Sequence, residues 1–243
     1  MPDRRTHRGP HPEDAELFGS GSLAALRAAA GDLTWLLDRG YASKSSLKLV
    51  GDRYKLAARQ RTAVARCVCS TDQRERRLGR RLDPSEAAGD RVWLDGYNVL
   101  TTVEAALAGA VLLAAADETL RDMASMHGSY RKVAETGPAL VLIGETLAEF
   151  RPQEVRWFLD KPVSNSGRLK GIIVDVAARH GWPWTVELVA DPDPVLAGAT
   201  EIVATADSVI LDGCRRWLNL ARYVVEERVA DAHVVRIGGG VLT

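Results

Sequence analysis

Cysteine is scarce in this chain, and long apolar runs are missing. The 243 residues include three cysteines, Cys67, Cys69 and Cys214, and an odd number of thiols fits a reducing compartment better than a disulfide framework. No apolar segment approaches the roughly 20 residues that a membrane-spanning helix needs, and no signal-peptide pattern is present. We therefore expect a cytoplasmic protein without a membrane partner.

The chain also lacks a net charge, but its charges are unevenly distributed. Lys plus Arg and Asp plus Glu each number 32, so the total points to neither nucleic acid nor membrane. The stretch from Lys44 to Arg81 nevertheless has a large excess of basic residues. Its arginines are Arg59, Arg61, Arg66, Arg74, Arg76, Arg77, Arg80 and Arg81. They are too dense to be explained by folding alone, so we expect them to bind RNA phosphates, although pairing with acids elsewhere in the chain stays open.

The residues that are present divide the chain into three segments. Residues 1–12, "MPDRRTHRGPHP", have little apolar content and are predicted to be flexible. Residues 13–83 repeat apolar positions every three or four residues, which predicts a helical basic region. In residues 90–243, short apolar runs alternate with helical patterns, which predicts an α/β domain with one mostly parallel sheet and helices on both faces, in three layers. The predicted strands lie near Val92, Val111, Trp157, Val186, Ile202 and Val234.

Three of these predicted strands run into an aspartate. Asp95 closes "RVWLD", Asp160 closes "EVRWFLD", and Asp207 follows "EIVATA". In an open α/β sheet, ligands gather beyond the carboxyl ends of the strands, and three carboxylates at one edge repel each other unless a cation joins them. We therefore expect these aspartates to bind Mg²⁺ or Mn²⁺ and to act in the hydrolysis of a phosphate ester.

Simpler roles stay open for each aspartate. Asp95 precedes Gly96, and Asp-Gly is a common turn pair. Asp160 can pair with Lys161, and Asp207 can cap the helix that follows it.

Other polar residues complete the predicted site. Glu104 is a candidate supporting acid because it lies closest in sequence to Asp95, while Asp117, Asp122 and Asp212 rank below it and fit solvated helix charges as well. In "DKPVSNSGRLKG", the predicted start of a helix is surrounded by cations and hydroxyls, which favours an anion site over ordinary capping only slightly. We assign substrate-phosphate contacts there to Lys161, Ser164, Asn165 and Arg168.

The chain resembles a family catalogued as domain of unknown function 434. Four blocks carry the resemblance, which extends from Leu47 to Ile237: "LKLVGDRYKLAARQRTAVARCVCS", "WLDGYNVLTTVEAAL", "LDKPVSNSGRLKG" and "ATADSVILDGCRRWLNLARYVV". The family name implies no activity.

The second half is also similar to PIN and NYN nuclease domains. These are α/β folds whose strand-end acids bind Mg²⁺ or Mn²⁺ and cleave RNA. The "LDGYN" stretch maps their aspartate and nearby asparagine onto Asp95 and Asn98, and "ATAD" maps a later aspartate onto Asp207. Many PIN domains have a second acid where this chain has Ser208.

Two functions therefore compete. The resemblance implies a metal-dependent ribonuclease in which Asn98 orients the site, while Ser208 leaves room for a nucleic-acid-binding protein that no longer cleaves. A phosphatase of the haloacid-dehalogenase type would use Asp95 as nucleophile, but it needs an aspartate where this chain has Tyr97. The sequence leaves a homo-oligomer open.

Overall fold

The structure is a computed structural model that describes residues 7–124, 128 and 130–238. Of the segment predicted to be flexible, residues 1–6 lie outside the described residues, as do residues 239–243 of the predicted α/β domain. The flexibility of residues 1–12 stays a prediction. No helix of the described part is both long and apolar enough to cross a membrane.

The first part of the chain is helical, as its apolar spacing predicts. The helices are α1 (Asp14–Leu17), α2 (Ser20–Asp38), α3 (Ser43–Arg53), α4 (Ala58–Cys67) and α5 (Thr71–Leu78). Helix α5 begins with a capping box, in which the Ser70 hydroxyl accepts the Gln73 N–H and the Gln73 side chain accepts the Ser70 N–H. The region ends in a short strand, β1 (Arg81–Leu82), which the helical pattern did not predict.

The rest of the chain alternates strands and helices. After a 3₁₀ turn at Pro84–Ala87, the elements are β2 (Arg91–Asp95), α6 (Gly96–Leu107), β3 (Leu112–Ala114), β4 (Leu120–Asp122), α7 (Thr136–Phe150), β5 (Glu154–Asp160), α8 (Ser166–His180), β6 (Trp184–Val189), α9 (Pro192–Ala197), β7 (Ile202–Ala204), α10 (Ser208–Gly213), β8 (Trp217–Leu218), α11 (Leu220–Arg228) and β9 (Val234–Arg236).

A six-stranded parallel sheet forms the centre of this part. Its order is β1-β8-β7-β2-β5-β6, and every neighbouring pair is parallel. Strand β5 buries Val155, Trp157, Phe158 and Leu159, as expected for a parallel strand covered on both faces. One face packs against α6, α7, α8 and α11, and the other packs against α9 and α10. The predicted three-layer α/β architecture is confirmed.

The prediction of one sheet is wrong for two of the six strands. The strands near Val111 and Val234 form a separate three-stranded sheet of order β4-β3-β9, in which β3 pairs parallel with β9 and antiparallel with β4. Apolar side chains beside these strands, such as Leu113 and Val235, pack against Leu26, Leu33 and Val64 of the helices. An apolar run shows that a strand is buried, but it does not show which layer covers the strand.

Candidate functional site

The three predicted aspartates lie at the ends of adjacent strands. Strands β7, β2 and β5 are neighbours, which is the condition for the three aspartates to converge, and their carboxyl ends meet at one edge of the sheet. Strands β5 and β6 extend the sheet on one side of β2, while β7 and β8 extend it on the other. This reversal makes a switch point between β2 and β7, where ligands bind in open α/β sheets.

A cleft of about 380 Å³ lies at this edge. Asp95, Asp160 and Asp207 line it together with a fourth aspartate, Asp193, which lies in the first turn of α9 just after β6. The sequence prediction missed Asp193. The signal was present, because "WTVELVA" was predicted as a strand and "DPDP" follows it directly. We refer to these four residues as the cleft aspartates.

Hydrogen bonds join the two sides of the switch point. The Thr205 hydroxyl donates to Asp95 Oδ2 over 2.8 Å, and the Asp207 N–H donates back to the Thr205 hydroxyl over 2.9 Å. The Asn98 side-chain oxygen accepts the Ala206 N–H over 2.8 Å. Asn98 therefore fixes the loop after β7 in place, so that Asp95 and Asp207 face the same cleft.

The turn after Asp95 depends on a missing side chain. A Cβ atom on Gly96 would lie 2.6 Å from Leu159 Cδ2 and 2.8 Å from the Phe158 carbonyl oxygen. Glycine is thus needed for close approach between α6 and β5. Gly96 therefore allows close packing beneath the cleft, while the Asp95 carboxylate accepts the hydrogen bond from Thr205.

Electrostatic repulsion couples the cleft aspartates. Burial raises the pKa of Asp95 to about 7, the Thr205 hydroxyl opposes this shift, and the charges of Asp207 and Asp193 add to it. Burial also raises the pKa of Asp193, with further contributions from Asp207, Asp191 and Asp160. The pKa of Asp160 is raised by burial and by Asp191. These carboxylates disfavour each other's charged forms, as expected for like charges in one pocket.

Asp207 also performs its simpler role. Its Oδ1 accepts the Val209 N–H over 2.7 Å and the Ile210 N–H over 3.4 Å, so it caps helix α10. Capping uses one carboxylate oxygen. The capping and cleft-lining roles therefore coexist in this residue.

Three predicted supporting acids lie outside the cleft. Glu104 is fully buried, where it accepts hydrogen bonds from the Tyr130 and Thr136 hydroxyls, each over 2.6 Å, and pairs with Arg8. Asp117 and Asp212 both bind the guanidinium of Arg77. Fixed donors inside the fold therefore satisfy all three acids.

Asp122 does line the cleft, although it ranked low among the candidates. Its Oδ2 accepts the hydroxyls of Thr101 and Thr102 over 3.1 and 3.2 Å, and its Oδ1 accepts the Ala124 N–H over 2.7 Å. Asp122 therefore holds the neighbouring backbone and already has local donors for both of its oxygens.

Most arginines of the basic region are engaged within the protein. Arg77 is 2% exposed and binds Asp117 and Asp212, while Arg80 donates to the Asp212 and Cys214 carbonyls. The remaining contacts are Arg59 with Asp14, Arg61 with Asp52, Arg74 with the Ala116 carbonyl, Arg76 with Asp72 and Arg81 with Glu118. The inference that these arginines exceed what folding needs was wrong for Arg77, because it is a buried cation between two acids.

One arginine of this region reaches the cleft. Arg66 of α4 lines it, and its guanidinium donates to the carbonyls of Asp122 and Ala124. Arg121 of β4 lines it too, with Nε donating to the Ala206 carbonyl over 2.8 Å and Nη2 to Asp117 over 2.6 Å. The helical region and the small sheet thus supply positive charge to the pocket that holds the cleft aspartates.

The predicted phosphate contacts do not line this cleft. Asn165 and Arg168 line a separate depression of about 270 Å³ together with Arg131 and Lys132. Asn165 adopts a left-handed φ of 70° at the start of α8, and its side-chain amide donates to the Tyr130 carbonyl over 3.0 Å. Lys161 and Ser164 are exposed in the loop between β5 and α8.

The donor set of the cleft suits a hard cation. All four cleft aspartates offer oxygen, and Mg²⁺ commonly uses one or two carboxylates while keeping several waters. Within the described ranges, no group of three or more His, Cys, Asp or Glu residues is arranged to hold a metal. The carboxylate oxygens therefore suit a largely hydrated Mg²⁺ or Mn²⁺ by their chemistry, although the described residues do not form a ready-made metal site.

Comparison with known proteins identifies families without an activity. Residues 84–223 match a family described as a domain of unknown function (DUF5616), and residues 25–80 match one described as a protein of unknown function (DUF434). An uncharacterized protein of Methanocaldococcus jannaschii, MJ0935, is 30% identical over 188 residues, which span 77% of this chain and 89% of that protein. No solved structure matches.

These matches confirm part of the resemblance stated from the sequence. Domain of unknown function 434 is confirmed for residues 25–80, whereas the blocks that follow fall within the second family model. The likeness to PIN and NYN nucleases stays a prediction.

Proposed function

We propose, from the premise that the chain belongs to the family described as a domain of unknown function (DUF5616), that it is a Mg²⁺- or Mn²⁺-dependent ribonuclease acting in the acidic cleft. The observation that carries the proposal is the arrangement of the cleft aspartates at the ends of four adjacent parallel strands. Burial, with smaller contributions from the charges of Asp207 and Asp193, raises the pKa of Asp95 to about 7, and a divalent cation would favour the charged carboxylate.

A cation would bind through one or two of the carboxylates of Asp95, Asp160 and Asp207 and keep several waters, since no three acids of the described residues are arranged to hold a metal together. A bound divalent cation supplies an activated water and a positive charge next to the scissile phosphate. Thr205 fixes the Asp95 carboxylate, and Asn98 fixes the loop that carries Asp207. The side chains therefore keep their positions while the substrate binds, which is the main requirement for phosphoryl transfer.

The cleft also offers positive charge to an RNA backbone. Arg66 and Arg121 line it, where both guanidinium groups bind backbone carbonyls and Arg121 also binds Asp117. The depression of Arg131, Lys132 and Arg168 adds a second cationic surface next to helix α8. Both features support a polyanionic substrate, since phosphate neutralisation by Arg and Lys supplies most of the affinity for nucleic acid.

A second candidate function is nucleic-acid binding without cleavage. One observation favours it: within the described part of the chain, no three acids are gathered in coordinating positions. Ser208, which follows Asp207 where many PIN domains have another acid, points the same way. In this alternative, RNA binds to the cationic groups and the cleft aspartates do not support hydrolysis.

The decisive experiment compares Mn²⁺ effects on the wild type and on Asp95→Asn. We expect Mn²⁺ to raise the melting temperature of the wild type, with a stabilisation of about 2.7 kcal/mol at one hundred times its Kd. The variant should lose this rise and should not cleave single-stranded RNA. Asp72→Asn is the control, because Asp72 lies on the surface away from the cleft and its variant should behave like the wild type.

Two other outcomes have clear meanings. Identical melts with and without Mn²⁺ in all three proteins would overturn the proposal. RNA binding that persists without any cleavage, in the wild type and in Asp95→Asn alike, would support the second candidate.

A further inference from the structure

Tyr97 carries a buried hydroxyl that has no partner in the described part of the chain. It lies in the first turn of α6, is 3% exposed, and packs its ring against Tyr130 at a centroid distance of 5.4 Å. Among the described residues, no group forms a hydrogen bond with its hydroxyl. Buried polar atoms nearly always have a partner, so this hydroxyl needs a physical explanation.

The hydroxyl lies close to one of the cleft aspartates. Tyr97 and Asp160 line the same cleft, and the pKa of Tyr97 is raised first by burial and then by the Asp160 charge. The Asp160 carboxylate has little support of its own, since its own backbone N–H is the one group that lowers its pKa. Within residues 7–124, 128 and 130–238, a donor without an acceptor thus lines the same cleft as a carboxylate that has no side-chain donor.

We propose that Tyr97 is a positioning residue for Asp160, and that its hydroxyl donates a hydrogen bond to the Asp160 carboxylate when this carboxylate turns to hold a divalent cation. The inference rests on the proposed function of the cleft. Asp160 ends strand β5, and the proposed bond requires a change of rotamer of its short side chain.

Such a bond matters because a metal-binding carboxylate is oriented by the groups around it. Removal of a hydrogen-bonding partner of a metal ligand typically weakens metal affinity by about 10- to 100-fold. Asp95 already has such a partner in Thr205, at 2.8 Å. Tyr97 would give Asp160 the equivalent support on the other side of β2.

Tyr97→Phe tests the inference, because it keeps the ring and removes only the hydroxyl. In the metal-free protein, the variant should be as stable as the wild type or more stable, since the lost hydroxyl had no partner. Titration calorimetry of the full chain with Mn²⁺ should show a Kd that is about tenfold higher or more.

Thr146→Val is the matched control. Thr146 lies in α7, is fully buried and does not line the cleft, and its hydroxyl also has no partner among the residues that the structure describes. This variant should bind Mn²⁺ like the wild type. An equal loss of affinity in both variants would overturn the inference, because removal of any buried hydroxyl would then have the same effect.

A double variant separates Tyr97 from the cleft as a whole. If the hydroxyl acts through Asp160, Tyr97→Phe should have no further effect on Mn²⁺ affinity in an Asp160→Asn background. Wild-type affinity in Tyr97→Phe would overturn the inference and leave the proposed function intact. Absence of any Mn²⁺ binding by the wild type would overturn the proposed function and this inference together.

Discussion

Asp117 and Asp95 are two aspartates withdrawn from water in neighbouring parts of the protein, and their pKa values shift in opposite directions. Burial alone would raise the pKa of Asp117, but Arg121, Thr119 and Arg77 outweigh burial and lower it. Burial and, to a smaller extent, the charges of Asp207 and Asp193 outweigh the Thr205 hydroxyl and raise the pKa of Asp95 to about 7. Two guanidinium groups therefore bond directly to Asp117, whereas the side-chain donor that bonds to Asp95 within the described residues is the neutral Thr205 hydroxyl.

Arg121 connects the two regions. Its Nη2 binds Asp117 over 2.6 Å, and its Nε binds the Ala206 carbonyl over 2.8 Å, one residue before Asp207. The cation that compensates the first aspartate thus also anchors the loop beside the second. A buried acid with fixed counter-charges contributes to the stability of the fold, whereas a buried acid without them is a candidate ligand for a cation from solution.

The largest expected effect comes from Asp117→Asn. The substitution keeps the shape of the side chain but removes the carboxylate partner of the Arg121 guanidinium and leaves Asp212 as the carboxylate partner of the buried Arg77. We expect the free energy of unfolding to fall by about 3 kcal/mol or more, since loss of one partner leaves buried charge uncompensated. Urea denaturation measures this fall. A loss under about 1 kcal/mol would show that Asp117 is no more than a surface-like acid.

The same substitution at Asp95 should have the opposite sign and a smaller size. Folded Asp95 keeps its proton up to about pH 7, while an unfolded aspartate loses it near pH 4, so the folded state binds more protons between these values. The metal-free wild type should therefore lose stability as the pH rises from about 4 to about 7.

Asp95→Asn removes this titration. Between pH 5 and pH 8, the free energy of unfolding of the variant should rise by about 1–2 kcal/mol relative to that of the wild type. This figure allows for solvent screening of the partly exposed carboxylate. Thermal melts at a series of pH values, in the absence of divalent cations, measure the gap between the two proteins. A gap that stays constant over this range would contradict the assigned pKa shift.

The smallest effect is expected for Asp72→Asn. Asp72 pairs with Arg76 on the surface of α5, where the two side chains are 75% and 49% exposed. Exposed pairs of this kind contribute about 0.5 kcal/mol or less. Urea denaturation should give a free energy of unfolding within about 0.5 kcal/mol of that of the wild type. A larger loss would mean that exposure does not distinguish surface acids such as Asp72 from buried acids such as Asp117.

The sequence predicted the strand-end aspartates because each follows a buried apolar run. The positions of Asp95, Asp160 and Asp207 at the carboxyl ends of parallel strands follow from alternation alone, and so does the three-layer class. Asp193 was within reach of the same rule. The residues Glu104 and Asp117 were misjudged because nearness in sequence does not reveal that Arg8, Tyr130 and Arg77 lie against them.

The separate small sheet was beyond prediction from single-strand patterns. The sequence of strand β3 is typical of any buried strand. The strand nevertheless pairs with β4 and β9, and it packs against the helices of the first part of the chain. The role of Arg66 was hidden in the same way. Its place in the cleft depends on how α4 packs, and a run of arginines gives no indication of which one faces which surface.

The packing of the small sheet bears on how this polypeptide can be divided. A fragment that starts at residue 84, where the second family model begins, keeps Leu113 and Val235 but loses Leu26, Leu33 and Val64, which cover them. Such a fragment would expose a continuous apolar surface, and surfaces of this kind drive self-association. The border between the two family models is therefore unsuitable as a truncation point for expression.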